Sequence, residues 1–482
     1  MDVFAYRDNI IRDYRTFTTS FTKIKADDIN KYVTDRYNSG HYWPAPLVQI
    51  NPVYVSGQNV EQLVAAGILH TTCEEIFRFG RQDGNPGDSA QLYKHQQDAI
   101  HLAQNGESYV LTTGTGSGKS LSYILPIVDH ILKTKQASNP PSIKAIIIYP
   151  MNALVNSQRE ELDKFLGHYG SAKPVTYGRY TAQEKSEERA AMAAMPPDII
   201  LTNFMMLEYL MTRHGEYDPD FRRAAKGLQF LVLDELHTYR GRQGADVAML
   251  VRRVREALNP NVQCIGTSAT MASEGTLQAR NEAVADVASK LFGVRVEPEN
   301  IIIETLQRQT PHAQKPTRSE LANAIEAGVP SSNDFKALRE HPIAAWIELT
   351  LGITHKEGRW VRAHPQTIRD AVDTLAKDSG LEETLCENYL RQFLLHAYQC
   401  RDANDKPLFA FRLHQFIAGA HILFSTLEPE GKRRFDLTGQ QYLPGDRDKK
   451  FFRVHFCRQC GQEYHPVWLQ DEQGRAGSNP VI

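Results

Sequence analysis

Between about residue 90 and residue 295, short apolar runs alternate with amphipathic stretches. The runs include Tyr109-Val-Leu-Thr112, Ile146-Ile-Ile-Tyr149, Ile199-Ile-Leu201, Phe230-Leu-Val-Leu233 and Cys264-Ile-Gly-Thr267. Runs of this kind suit buried strands, and the helical spacing between them supplies crossovers, so the stretch predicts parallel βαβ units in a doubly wound α/β sheet. One predicted helix extends from Leu121 through Ile124 to Leu132, with Pro126 expected to kink it. Another follows Gly244, where Val247, Leu250, Val251, Val254 and Leu258 recur at helical spacing until Asn259-Pro260 stops it.

The flanks follow other patterns. Residues 1–89 read as an N-terminal, mostly helical segment closed by the turn-rich Gly80-Arg-Gln-Asp-Gly-Asn-Pro-Gly-Asp88. From 296 the pattern predicts helices without intervening strand runs: Phe335 to Leu351, Pro365 to Lys377, and Leu381 to Tyr398 with Leu385, Tyr389, Phe393 and Ala397 on one core-facing stripe. Two β-like stretches follow, Phe409 to Ile417 and His421 to Leu427. The expected division is an accessory segment at 1–89, the sheet domain at 90–295, a mainly helical accessory or insert domain at 296–445, and an incomplete hairpin around Cys457 and Cys460 at 446–482.

Composition removes some classes. A chain of 482 residues can hold two to four domains, and a net charge of −2 excludes a globally basic coat, so any polyanion must be held in a local groove. The N-terminus lacks a basic-then-apolar signal pattern and no apolar run reaches membrane-spanning length, so no membrane partner is expected and the reading is cytoplasmic. Six cysteines with one close pair fit a reducing compartment.

The chemistry concentrates at strand ends. Tyr109–Thr112 leads straight into Thr113-Gly-Thr-Gly-Ser-Gly-Lys-Ser120, a Gly-rich turn before a helix. Such a turn directs backbone N–H groups around phosphate oxygens, with Lys119 reaching the β/γ-phosphates and Ser120 ligating Mg²⁺; Thr115, Gly116, Ser117 and Gly118 form the cradle. Thr113 stands where the strict pattern has Gly. The strand Phe230–Leu233 ends in Asp234-Glu235-Leu-His237, carboxylates at the edge where α/β sheets bind ligands. Asp234 would hold Mg²⁺ through water and Glu235 would take a proton from water attacking the γ-phosphate. Upstream, Leu92-Tyr93-Lys-His-Gln96 is expected beside the nucleotide, with the Gln96 amide reading adenine. Asn152, Thr202 and Asn203 follow two other strands and suit backbone phosphates of a nucleic-acid strand. Arg252, Arg253 and Arg255 read either as further nucleic-acid contacts or as a solvated face. Cys457-Arg-Gln-Cys460, flanked by His455 and His465, reads either as part of a Zn²⁺ knuckle completed by those histidines or by Cys386 and Cys400, or as a metal-free hairpin.

In this order the segments resemble the motifs of superfamily-two helicases: Gln96 the Q motif, Thr113 to Ser120 motif I, Asp234 to His237 motif II, and Ser268-Ala-Thr270 motif III. The resemblance implies a RecA-like sheet, ATP and Mg²⁺, a DNA or RNA strand, and coupling roles for His237, Ser268 and Thr270. The segments Asp234 to Gly244, Tyr149 to Leu154 and Thr202 to Tyr209 further resemble bacterial DExH helicases with a Cys-rich C-terminal region, a group including Mrf-like DNA-repair helicases and Druantia-type antiphage defence helicases. Asp2 to Asp8, Trp43-Pro44, Phe411-Arg-Leu-His414 and Cys457 to Cys460 are more similar to the defence type. A motor of this class closes a second RecA-like domain onto the first to supply an arginine. No strand-rich repeat is read after 296, and Gln473-Gly-Arg-Ala-Gly477 echoes only part of an Arg-rich motif, so the expectation is an N-terminal fragment whose second RecA-like domain lies in downstream sequence or a partner chain. Two functions follow: an ATP-hydrolysing helicase or translocase motor, or an ATP-binding scaffold that hydrolyses little.

Overall fold

The computed structural model describes residues 2–466 apart from 21–22, 83, 115, 136–140, 216, 270–274, 313, 404 and 420–421. Residues 52–307 with 355–361 pack as one unit, built on seven parallel strands. These are β1 (Tyr109–Thr112), β2 (Ala145–Tyr149), β3 (Tyr177–Tyr180), β4 (Ile199–Asn203), β5 (Phe230–Leu233), β6 (Gln263–Ser268) and β7 (Ile301–Ile303). They lie in the order β7-β1-β6-β5-β2-β4-β3, so the chain leaves β1, crosses to β2 three positions away and later returns. Helices alternate with them: α1 (Lys94–Gln104), α2 (Leu121–Thr134), α3 (Asn152–Leu166), α4 (Phe204–Thr212), α5 (Gly241–Ala257) and α6 (Leu277–Phe292).

Strand periodicity sorts the core into two layers. Tyr109, Leu111, Ile147, Tyr149, Leu201, Val232 and Ile265 face the layer made with α1, α2 and α3. Their neighbours Val110, Ile146, Ile148, Ile200, Leu231, Leu233 and Cys264 face the layer made with α4, α5 and α6. The continuous apolar runs are therefore strands buried on both faces, as a doubly wound sheet requires. α2 runs on through Pro126 as a single helix.

Two differences from the expected layout stand out. The sheet takes a seventh strand after 296: Ile301–Ile303 pairs in parallel with Val110–Thr112, a run of three β-branched residues too short to register as a strand in the sequence. Residues 52–89 are also drawn into this unit, since Val60, Leu63, Cys73, Ile76 and Phe77 share the core of α1 and α2.

Residues 1–51, 308–354 and 362 onward group as the second unit. The helices Val3–Ser20 and Asp27–Asn38 open it, and Leu47–Ile50 pairs antiparallel with Gln366–Thr367 and Phe411–His414. The helix expected over Phe335 to Leu351 is instead Phe335–Arg339, Pro342–Ile347 and a π-turn at Glu348–Gly352, because Pro342 lacks the N–H to continue the first segment and starts the second. On the helix Glu383–Gln399, Leu385 is exposed, and Cys386, Leu390 and Leu394 join Tyr389, Phe393 and Ala397 in the core. His455–Phe456 and Glu463–Tyr464 form the expected hairpin, held to the Asp27–Asn38 helix by Arg433, which reaches Asp28 at 2.8 Å and Glu463 at 3.0 Å. Among the described residues no three His, Cys, Asp or Glu side chains are grouped to hold a metal, so Zn²⁺ at Cys457 and Cys460 has no set of ligands there. Gln473 to Gly477 lies outside the described residues. No helix of the described residues is long and apolar enough to cross a membrane.

Candidate nucleotide-binding site

The C-terminal ends of β1, β6 and β5 meet at one edge, since Thr112 pairs with Ser268 and Leu233 with Gly266. Between β1 and α2 the chain turns sharply, with Gly116 at φ 82° and Gly118 at φ 69°, left-handed conformations that favour glycine. A Cβ on Gly118 would also sit 2.6 Å from Gln96 Nε2. The turn is tied back from outside. Gln96, buried on α1, donates from Nε2 to the Gly118 carbonyl at 2.8 Å while its Oε1 accepts from Tyr93 N at 2.8 Å. His95 Nε2 lies 2.9 Å from the Ser117 carbonyl. The Thr113 and Ser117 hydroxyls meet at 2.6 Å, which gives the non-glycine residue at 113 a part in closing the turn. Gln96, expected at the base, is thus engaged with the turn through its Nε2 and with the start of its own helix through its Oε1. Thr115 lies outside the described residues.

At the centre of this turn Lys119 Nζ is buried and takes no hydrogen-bond partner among the described residues. An ammonium left in this state is costly to bury, and an anionic ligand would relieve it. Asp234 faces the same space. Its side chain is buried, which pushes its pKa above the ordinary aspartate value, while the Thr267 hydroxyl donates to Oδ1 and Lys119 partly offsets the shift. Glu235 follows in the left-handed region at φ 54°, a conformation costing a non-glycine residue about 1–2 kcal/mol. Its N–H points to Thr267 Oγ1 at 3.3 Å, and its Oε2 lies 3.2 Å from His237 Nδ1 without hydrogen-bond geometry. His237 Nδ1 is 3.2 Å from Ser268 Oγ, which joins the end of β5 to the end of β6. Thr270 lies outside the described residues. The glycine turn, the unpartnered buried ammonium and the paired carboxylates together fit a Mg²⁺-bound nucleoside triphosphate.

The Asp234 shift has a measurable consequence. Because its native pKa is raised, its carboxyl is protonated in both native and unfolded chains at pH below the ordinary aspartate value, and ionisation weakens the native state as pH rises through the raised value. Asp234→Asn is therefore expected to raise the melting temperature at neutral pH, with the gain shrinking as the pH falls toward the ordinary aspartate range. Thermal melts of both proteins across pH check this; a gain independent of pH would place its origin elsewhere.

The other edge residues divide. Asn152 opens α3 and its Oδ1 accepts from Asn203 Nδ2 at 2.7 Å, while Asn203 Oδ1 caps α4 by accepting from Met206 N at 2.9 Å. Met151 and Met205 beside them are exposed. Thr202 is buried and its hydroxyl donates to the Tyr180 carbonyl at 2.6 Å, so in this conformation it faces the sheet. The three arginines of α5 reach protein atoms: Arg252 the Ala248 carbonyl, Arg253 the Glu208 carboxylate, and Arg255 the carbonyls of Gly293 and Pro260.

Thr267, one of the small hydroxyl residues at the end of β6 that the sequence suits to linking the carboxylates, holds both the Asp234 carboxylate and the Glu235 N–H. Two further neighbours of the site carry no local sequence signal. Glu304, just past β7, accepts from Gly114 N at 3.1 Å, and the strand carrying it was not recognised. Gln158 lies inside α3 with no local pattern to mark it, yet its Oε1 accepts from the Ser120 hydroxyl at 2.8 Å.

Residues 93–277 match the DEAD/DEAH box helicase family. Druantia protein DruE of Escherichia coli (strain UMEA 4076-1) is 23% identical, the match covering 89% of this chain and 31% of that protein. ATP-dependent helicase HRQ1 of Saccharomyces cerevisiae is 31% identical over 38% of this chain and 16% of its own length. Among solved structures, DUF1998 helicase MrfA bound to DNA and AMPPNP is similar at 22% identity and a TM-score of 0.41, covering 62% of this chain and 38% of that one. The chain thus spans about a third of the length of DruE and less of HRQ1.

Proposed function

We propose, from the premise that residues 93–277 are a DEAD/DEAH box helicase domain, that this chain is the ATP-hydrolysing part of a helicase or translocase acting on nucleic acid, with DNA as the first candidate strand. The observation that carries the reading is the buried, unpartnered Lys119 ammonium inside a glycine turn that faces Asp234 and Glu235. Lys119 binds the terminal phosphates, and Ser120 and Asp234 are the residues that would hold Mg²⁺, which when bound neutralises phosphate charge. Thr267 keeps the Asp234 carboxylate turned toward that space. Glu235 holds the attacking water and takes its proton. His237 and Ser268 link the ends of β5 and β6, so a change at the carboxylates passes to β6. The Asn152–Asn203 pair at the ends of β2 and β4 offers amide groups to the strand backbone.

An arginine completing the transition state would come from a second RecA-like domain, in further sequence or a partner chain. Because the Druantia match runs over 89% of the chain, we assign the biological setting to antiphage defence, with DNA repair as the alternative. Phage plating on cells carrying the chain or its Lys119→Ala variant separates the two, since loss of protection in the variant is expected and equal protection contradicts the assignment. The direct test of the reading is strand affinity by fluorescence anisotropy, with and without Mg-AMPPNP. Coupled sites shift one another's affinity by about 5- to 150-fold. A strand affinity that ignores the nucleotide, or no strand binding at all, would contradict the proposal.

A further inference from the structure

Ser120 closes the glycine turn, and its hydroxyl donates to Gln158 Oε1 at 2.8 Å. The same oxygen accepts from the Tyr123 hydroxyl at 3.4 Å, and Tyr123 in turn lies 3.3 Å from the Tyr149 hydroxyl, with both tyrosine rings buried. A serine hydroxyl has one proton and two lone pairs. When it ligates a cation it does so through a lone pair, so its proton must be held by an acceptor on the other side. Gln158 is that acceptor. Receiving two hydroxyl donors on Oε1 also fixes which end of the amide faces Ser120; the reversed amide would present N–H groups and turn the serine proton toward the phosphate space.

We propose that Gln158 is a positioning residue of this site, holding the Ser120 hydroxyl with its oxygen toward the metal of a bound Mg-nucleotide. The proposal rests on the reading of the Lys119–Ser120 turn as a Mg-nucleotide site. It gives α3 a second role beyond carrying Asn152 at its first position, and it requires the acceptor oxygen at 158, not the bulk of the side chain.

The test is calorimetric binding of AMPPNP to the full 482-residue chain, in Mg²⁺ and in EDTA. Gln158→Met keeps side-chain length but removes the carbonyl acceptor, and residues orienting a metal ligand change metal affinity by about 10- to 100-fold. The variant is expected to lose about that much of the Mg²⁺-dependent gain while its affinity in EDTA stays at the wild-type value. Gln158→Glu, which restores an acceptor oxygen, should recover most of the gain. Combining Gln158→Met with Ser120→Ala should cost little beyond Ser120→Ala alone. An unchanged Mg²⁺ gain in Gln158→Met, an equal loss in Mg²⁺ and EDTA, or fully additive losses in the double variant would overturn the proposal. Should Gln158→Met not fold, Gln158→Glu against Ser120→Ala decides: the first must keep the gain and the second lose it. Lys119→Ala serves as the control, because undiminished binding there would mean that the site reading fails whatever Gln158 does.

Discussion

Glu235→Gln is expected to bind Mg-ATP as the wild type does and to hydrolyse it about a hundred- to ten-thousandfold more slowly, the range that a positioned general base contributes. The geometry supports an effect on chemistry and not on binding. Glu235 is held in a left-handed backbone conformation that few residues adopt without cause, its N–H is fixed by Thr267, and its Oε2 has no hydrogen-bond partner among the described residues. Replacing the carboxylate by an amide keeps the shape and removes the proton acceptor. Single-turnover hydrolysis with saturating nucleotide measures the step free of product release. A wild-type rate in the variant would remove Glu235 from the reaction.

The second large effect belongs to Lys119. Charged hydrogen bonds contribute about 1.5–3 kcal/mol each, so Lys119→Ala should weaken Mg-ATP binding by about tenfold to a hundredfold or more. The same substitution should change the stability of the nucleotide-free protein little, because it deletes a buried ammonium that takes no hydrogen-bond partner among the described residues while removing its attraction to the Asp234 carboxylate. This pairing of lost affinity with little-changed stability separates a binding residue from a structural one. Calorimetry and thermal melts on the same two proteins read both.

Much of this arrangement was legible in the sequence, and for identifiable reasons. The sheet could be read because parallel strands buried on both faces must be continuously apolar, as Ala145–Tyr149 and Phe230–Leu233 are. The glycine turn could be read because Gly116 and Gly118 have backbone conformations that few other residues adopt, so local sequence carries the geometry. What escaped depends on contacts between distant positions. β7 is three residues long and is defined by its pairing with β1, and Glu304 at its end meets Gly114 across 190 positions of chain. Gln158 meets Ser120 across 38 positions of chain, and nothing in the spacing of either segment announces that contact. Of the stripe Leu385, Tyr389, Phe393 and Ala397, the last three are buried and Leu385 is exposed, since helical spacing identifies a stripe while tertiary packing decides how far along the helix it is covered.

The most direct measurement of the central claim is a calorimetric titration of Mg-ATP into the wild-type chain, with GTP as a parallel titrant. The account predicts one nucleotide per chain, with ATP bound more tightly than GTP if Gln96 reads the adenine edge once a nucleotide draws it from Gly118 and Tyr93. Equal binding of ATP and GTP would remove Gln96 from base selection while leaving the phosphate site in place. A folded chain that binds neither nucleotide would contradict the account at its root, because the buried Lys119 and the Asp234–Glu235 pair would then need another explanation.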